Sequence, residues 1–245
     1  MVRKVDYNSR KKAVLHTAIN RYIKNALPVA SDEIAREFDL SSATIRNIFM
    51  DLEEAGFLKH PYTSGGRVPT DKGYRYYLDY LFQQIDLLTE EKERIVKECN
   101  RKIGKFDDAL ENTSEVISEI THYAGIASFL EWQDKFFYKG LSYILEQPEF
   151  KDVSRIKLLI KMVEEKQQLL KIINRDFTGK VKVYIGSELG FPEMENCSLI
   201  VASCKMKNHS SGRLAVLGPM RMQYNHIIPT MEYISDCLSQ ICEEI

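Results

Sequence analysis

SSATIRNIFMDLEEAGFLKHPYTSGGRVPTDKGYRYY, residues 41–77, decides the fold. Ser41 is a good helix N-cap, and Ile45, Ile48, Phe49, Leu52 and Ala55 follow at helical spacing, so one face of the helix is apolar. Gly56 supplies the stop. The opposite face of the first turns carries Ala43, Arg46, Asn47 and Met50, flanked by Ser42 and Thr44, with no acid before Asp51. A helix that enters the major groove reads base edges with its N-terminal residues. It needs a small residue for close approach, Arg or Lys for guanine, and Asn or Gln for adenine. Ala43, Arg46 and Asn47 meet that demand. An ordinary amphipathic surface helix also shows an Arg and an Asn, so the helix alone leaves both readings open.

The neighbours narrow the choice. Phe57–His60 reads as a short strand with His60 at the base of a wing, and Pro61–Pro69 holds Thr63, Ser64, Gly65, Gly66 and Arg67. A glycine turn with one cation and two hydroxyls suits contact with phosphate or a minor groove, with a polar hairpin as the plain alternative. Upstream, Val14, Leu15, Ala18, Ile19, Tyr22 and Ile23 form the stripe of a core-facing helix over 9–25. Pro28 and Val29 form an extended link, Ser31 caps a short helix through Phe38, and Asp39 and Leu40 turn. Thr70 caps a further helix dense in tyrosine, whose spacing beside leucines favours a packed seam over a platform for stacked bases. This order of elements is that of a winged helix-turn-helix. The candidate DNA-binding residues are Ser42, Ala43, Thr44, Arg46 and Asn47 on the helix, and Thr63, Ser64, Gly66 and Arg67 in the wing, with Arg67 set against phosphate or the minor-groove edge.

The same stretches carry a resemblance. Pro28, Val29 and Ser31, SSATIRN (41–47), DLEEAG (51–56) and TSGGRVPTDKGYRYY (63–77) resemble the HrcA family of bacterial heat-inducible transcription repressors. The family usually has His where Tyr62 stands and Ala where Gly65 stands. The resemblance implies a cytoplasmic repressor that binds double-stranded DNA at an inverted-repeat operator upstream of chaperone genes. It also implies a chaperonin partner that keeps the repressor active, and a GAF-like regulatory domain. SEITHYAGIASFL (118–130) is similar to the helix and first strand that open that domain, and GPMRMQYNHIIP (218–229) to the C-terminal signature. Between them the chain passes from Leu130 almost at once to FYKGLSYILEQPEF (137–150), where full-length relatives place further strands and an inserted dimerisation domain. The family's way of dimerising is therefore not carried over.

The 245 residues allow one large or two ordinary domains, and 44% hydrophobic content suffices for folded cores. Apolar runs are too short for a membrane helix, and the basic N-terminus lacks the apolar segment of a signal peptide, so the protein is expected to stay where it is made. Cys99, Cys197, Cys204, Cys237 and Cys242 form no CxxC pair and have no histidine at ligand spacing, which points to small hydrophobes in a reduced cytosol and to no metal. The net charge of −1 divides unevenly: residues 1–80 hold 13 Lys and Arg against 10 Asp and Glu, a net of +3 that leaves −4 beyond. So mild an asymmetry fits a sequence-specific reader better than a protein that coats nucleic acid through bulk charge. No P-loop, GxSxG, HExxH or dinucleotide fingerprint occurs, so neither an enzyme nor a cofactor is expected.

Beyond Leu88 the composition turns charged. The expected organisation is a winged helix-turn-helix over 1–86, a helical linker over 87–108 and a shortened GAF-like domain over 109–245, an α+β chain overall. From Ile95 the positions Cys99, Ile103, Phe106, Leu110, Thr113, Ile117, Ile120 and Ala124 step by threes and fours, either as a dimer seam or as the inner face of helices packed on their own domain. Gly104 predicts a break near 104–107. A helix follows over 153–174, then runs at 180–185, 198–206 and 212–217 that predict a small antiparallel sheet, then a closing helix capped by Asn225. Tyr184, Gly186, Glu188 and Arg221 are residues of the sort that line a ligand pocket. The reading is a homodimeric repressor, paired through the 95–124 stripe or through the sheet and closing helix. Two alternatives are a small-molecule sensor in which the GAF-like part gates the same head, and an adaptor whose winged helix no longer binds DNA. Arg46, Asn47 and the wing speak against the adaptor.

Overall fold

The computed structural model describes residues 7–61, 66–82, 86–99, 106–129, 136–164, 166–205 and 211–244. The chain divides into two units, residues 1–84 and 85–245. In the first, α1 (Tyr7–Asn25), α2 (Ser31–Phe38) and α3 (Ser42–Glu54) precede the strands β1 (Leu58–Lys59) and β2 (Val68–Pro69), and α4 (Asp71–Leu81) closes it. β1 and β2 pair antiparallel, Leu58 opposite Pro69 and Lys59 opposite Val68. The core is built from the predicted stripes: Leu15 and Ile19 of α1, Ile34 of α2, Ile45, Ile48 and Leu52 of α3, and Tyr74 and Leu78 of α4 are buried. Each such side chain contributes about 1.5–3 kcal/mol of hydrophobic stabilisation.

Two junctions set the geometry around α3. At its start Ser41 Oγ accepts from the Thr44 amide at 3.1 Å. At its end Gly56 takes φ +74°, the Phe57 amide donates to the Leu52 carbonyl at 2.8 Å, and the Gly56 amide donates to the Glu53 carbonyl at 2.9 Å, a Schellman stop. Thr70 then ties this stop to α4, because its Oγ1 donates to the Gly56 carbonyl at 2.6 Å and accepts from the Gly73 amide at 3.1 Å. A Cβ on Gly73 would lie 2.2 Å from the Phe57 carbonyl oxygen, so only glycine lets α4 pass this close. Gly73→Ala is therefore expected to destabilise the unit by about 1–3 kcal/mol. Urea denaturation checks this, and an unchanged midpoint would show that α4 can shift without cost.

Ser31 is not the cap of α2: Ala30 holds the N-cap position with extended backbone, no side chain caps the helix, and Ser31 is its first residue. The tyrosines of α4 form a seam, as their spacing predicts. Tyr74 and Tyr77 are buried, and Tyr77 Oη donates to Asn20 Oδ1 at 2.5 Å. Burial pushes the Tyr77 phenol up to about 12. His16 lies edge-on to the rings of Tyr76, Tyr77 and Tyr80, and burial lowers its pKa from the ordinary value, helped by nearby Lys12.

The second unit runs α5 (Thr89–Cys99), α6 (Phe106–Thr121), β3 (Ala124–Phe129), β4 (Phe136–Lys139), α7 (Leu141–Leu145), α8 (Val153–Glu164), α9 (Lys166–Ile173), β5 (Val181–Ile185), β6 (Cys197–Lys205), β7 (Ser211–Pro219) and α10 (Tyr224–Glu244). Its sheet is antiparallel throughout, in the order β4-β3-β7-β6-β5. The three predicted runs are thus joined by β3 and β4 in five strands. One face is covered by α6 and α10; a Cβ on Gly125 of β3 would lie 2.2 Å from the Ser114 carbonyl of α6. The other face carries a core that includes Ile126, Phe136, Phe150, Leu169, Leu199 and Leu217.

Three expectations are corrected here, and one open choice is decided. Residues 89–99 are not a linker, because α5 packs on α6 and α10 with Ile95 and Cys99 buried. Of the two readings of the 95–124 stripe, the inner face packed on its own domain is the one observed, because Ile95, Cys99, Leu110, Thr113, Ile117 and Ala124 are all buried inside the unit; Ile103 and Gly104 lie outside the described residues. The closing helix begins at Tyr224, one residue before its expected cap Asn225. The candidate pocket residues hold loops instead of standing open to a ligand. Arg221 pairs with Glu149 at 3.2 Å and donates to Gln147 at 2.9 Å, and Glu188 Oε2 accepts from the Ile185 amide at 3.1 Å. Arg175 donates to the Glu188 and Leu189 carbonyls at 2.9 and 3.0 Å and lies over the Tyr184 ring.

Candidate nucleic-acid interface

Because Ile45, Ile48, Phe49 and Leu52 all turn inward, the opposite side of α3 is left outward, and Ala43, Arg46, Asn47 and Met50 are exposed on it. Among the described residues no hydrogen bond or ion pair holds the Arg46 or Asn47 side chain. Ser42 and Thr44 are half-buried at the edges of this face, and Thr44 Oγ1 is engaged with Ser41 Oγ at 2.8 Å. Thr44 thus serves the helix start through its contacts with Ser41.

α3 is held from several sides. Arg21 of α1 reaches Glu33 at 2.8 Å and Glu37 at 3.1 Å, fixing α2 beside it. Lys11 pairs with Asp51 at 3.3 Å, which offsets the one acid in the middle of α3. Lys72 Nζ donates to the Ala55 carbonyl at 2.8 Å, a cation at the negative end of the helix. A groove of about 400 Å³ runs beside α3, lined among others by Ala30, Ser31, Arg46, Met50, His60 and Arg67. The first turn of α2, where the N-cap Ala30 offers no side-chain cap and Asp32 and Glu33 lie, borders it through Ala30, Ser31 and Asp32.

The wing departs from the sequence reading at Arg67. The side chain is only 14% exposed, Nη2 pairs with Glu53 Oε2 of α3 at 2.9 Å, and Nη1 donates to His60 Nδ1 at 2.9 Å. Its backbone pairs in both directions with Val29, at 2.8 and 2.9 Å. Arg67 therefore fastens the wing to α3 and to the link before α2, and its guanidinium does not stand at the tip as a phosphate contact. Gly66 is part of the same fastening: a Cβ there would lie 2.4 Å from the Val29 carbonyl oxygen, so the residue lets two backbones approach. Thr63 and Ser64 lie outside the described residues. Sequence reasoning missed Glu53 and Val29 as wing supports. Glu53 reads as a solvated helix-end acid, and nothing in the spacing pairs it with a cation 14 residues on.

A three-helix core with an exposed, acid-free helix face and a hairpin strapped beside it defines a winged helix-turn-helix DNA-binding regulator, carrying a second, sheet-centred domain. Residues 6–80 match the family model "Winged helix-turn-helix transcription repressor, HrcA DNA-binding", and residues 127–228 match "HrcA protein C terminal domain". The heat-inducible transcription repressor HrcA of Carboxydothermus hydrogenoformans is 30% identical, covering 96% of this chain and 98% of the relative. That of Geobacter sulfurreducens is 28% identical over 97% and 99%. This chain belongs to the HrcA family of heat-inducible transcription repressors. The Carboxydothermus alignment runs over 334 positions against a chain of 245 residues, so at least 89 of them face gaps in this chain. A crystal structure of a hypothetical protein shares the fold with a TM-score of 0.80 at 18% identity, covering 97% of this chain and 99% of that one. Among the described residues no helix is long and apolar enough to cross a membrane.

Proposed function

We propose that the chain is a sequence-specific repressor of heat-shock chaperone genes that occupies an inverted-repeat operator as a homodimer in the cytoplasm. The observation that carries this reading is the outward face of α3, where Ala43 gives close approach and Arg46 and Asn47 are free to bond base edges. One winged helix spans only a few base pairs, so two chains on half-sites about one helical turn apart, or a multiple of it, double the contact. With the 95–124 stripe used inside the second unit, the pairing surface falls to the sheet edges β4 and β5 or the outer side of α10. The relatives' names speak of heat induction, and the family resemblance adds a chaperonin partner whose availability sets activity.

Footprinting upstream of the protein's own gene and of chaperone genes tests this. The expected outcome is a protected inverted repeat whose occupancy falls on heating or on removal of chaperonin, with two chains in the DNA complex by light scattering. Protection without two-fold symmetry, a complex of one chain, or occupancy indifferent to both heat and chaperonin would each remove the corresponding part of the reading.

A further inference from the structure

On the core-bearing face of the sheet in the second unit, the central strands β3, β7 and β6 are apolar row by row up to the row that holds Arg213, with Lys182 of β5 at the exposed end of one of those rows and Lys205 opposite Ser211 in the row beyond. Ala124, Leu217 and Leu199 stand opposite one another across β3, β7 and β6, and so do Ile126, Ala215 and Val201. The next row on the same face is Phe136, Ser128, Arg213 and Ser203. Directly opposite residues of antiparallel strands share a face with Cβ atoms about 4.5–5.5 Å apart, so Ser128 and Arg213 are immediate neighbours. Ser128 is 0% exposed and Arg213 8%, yet among the described residues neither Ser128 Oγ nor Arg213 Nε has a hydrogen-bond partner. The guanidinium lies beneath the ring of Phe177, 5.1 Å from its centroid.

Among the described residues no carboxylate pairs with Arg213. Two other arginines of this unit are treated differently: Arg221 sits against Glu149 and Gln147, and Arg175 donates to two carbonyls. A buried cation is costly unless an opposite charge and hydrogen bonds satisfy it, and the Phe177 ring supplies only part of that attraction. A buried hydroxyl beside it without a partner adds to the cost. Both deficits are met by one kind of occupant, an anion whose oxygens accept from the guanidinium and from Ser128 Oγ. Phe136 and Phe177 offer apolar walls to the rest of such a molecule. The positive charge excludes a metal cation.

We propose that this row is a binding site for a small organic oxyanion, a carboxylate or a phosphate ester, in the second unit of the protein. Binding there stabilises the second unit whether or not DNA is present, so the test is independent of operator recognition. The intact chain is followed by thermal unfolding in butyrate, in inorganic phosphate and in uncharged butyramide, at constant ionic strength. Butyrate, phosphate or both should raise Tm saturably, with the logarithmic dependence of a specific ligand, and butyramide should not. Arg213→Met should be no less stable than the parent without anion and should lose the response. Ser128→Ala should bind about tenfold more weakly, the loss of one charge-assisted hydrogen bond. If Arg213→Met does not fold, the decision rests on Ser128→Ala. An absent or unsaturable response to both anions, or a response unchanged in Ser128→Ala, overturns the proposal.

Discussion

Replacing Arg46 and Asn47 together by alanine is expected to erase the difference in affinity between operator and scrambled DNA while the protein stays folded. Both side chains are exposed, and neither supports the core, whose α3 contribution comes from Ile45, Ile48, Phe49 and Leu52. Loss of a bidentate contact to a base edge costs about 1–3 kcal/mol per half-site, and a dimer suffers it twice for each residue. The double variant should therefore fall to the level of non-specific binding, which rests on phosphate charge and survives. Competition between operator and scrambled DNA at two salt concentrations reads both quantities. Unchanged specificity in a folded double variant would mean that α3 does not read DNA, and the adaptor would become the better account.

Local signals made most of this unit legible. Ser41, Gly56 and Thr70 act within a few residues of themselves through caps and stops, and all three do what their residue type predicts. The apolar stripes of α1 and α3 face the core because helical periodicity reports burial directly. What failed or stayed open depends on tertiary partners. The 95–124 stripe is equally consistent with a seam between chains and with a face inside one, and only the position of α10 decides between them. Ser31 is a good capping residue one position too late, since the chain leaves its extended link at Ala30. Arg221 and Glu188 are polar residues near sheet ends, which look alike in sequence whether they line a pocket or tie loops. Ser128 and Arg213 are 85 residues apart in sequence, and only strand register makes them neighbours.

Arg67→Ala is expected to weaken DNA binding without the salt signature of a lost phosphate contact. A cation that neutralises a phosphate releases counterions, so its removal lowers the salt slope by roughly one unit per subunit. Here the guanidinium is already committed to Glu53 and His60, and the peptide on either side of it is paired to Val29. Removing it leaves Glu53, among the described residues, with only His60 Nε2, 4.0 Å away, and loosens the hairpin from α3. That should cost about 1–3 kcal/mol of stability, between the values for exposed and buried ion pairs, since Glu53 remains partly open to solvent. Operator affinity falls because the wing is no longer held, while the salt slope stays near that of the parent. Glu53→Gln separates the two roles most clearly. If Arg67 is a fastener, this substitution weakens DNA binding in the same direction as Arg67→Ala. If Arg67 instead swings out to a phosphate, freeing it from Glu53 makes binding tighter and more salt-dependent. Titration of both variants with operator DNA across a range of salt concentrations decides between a wing that is held by Arg67 and a wing that reaches with it.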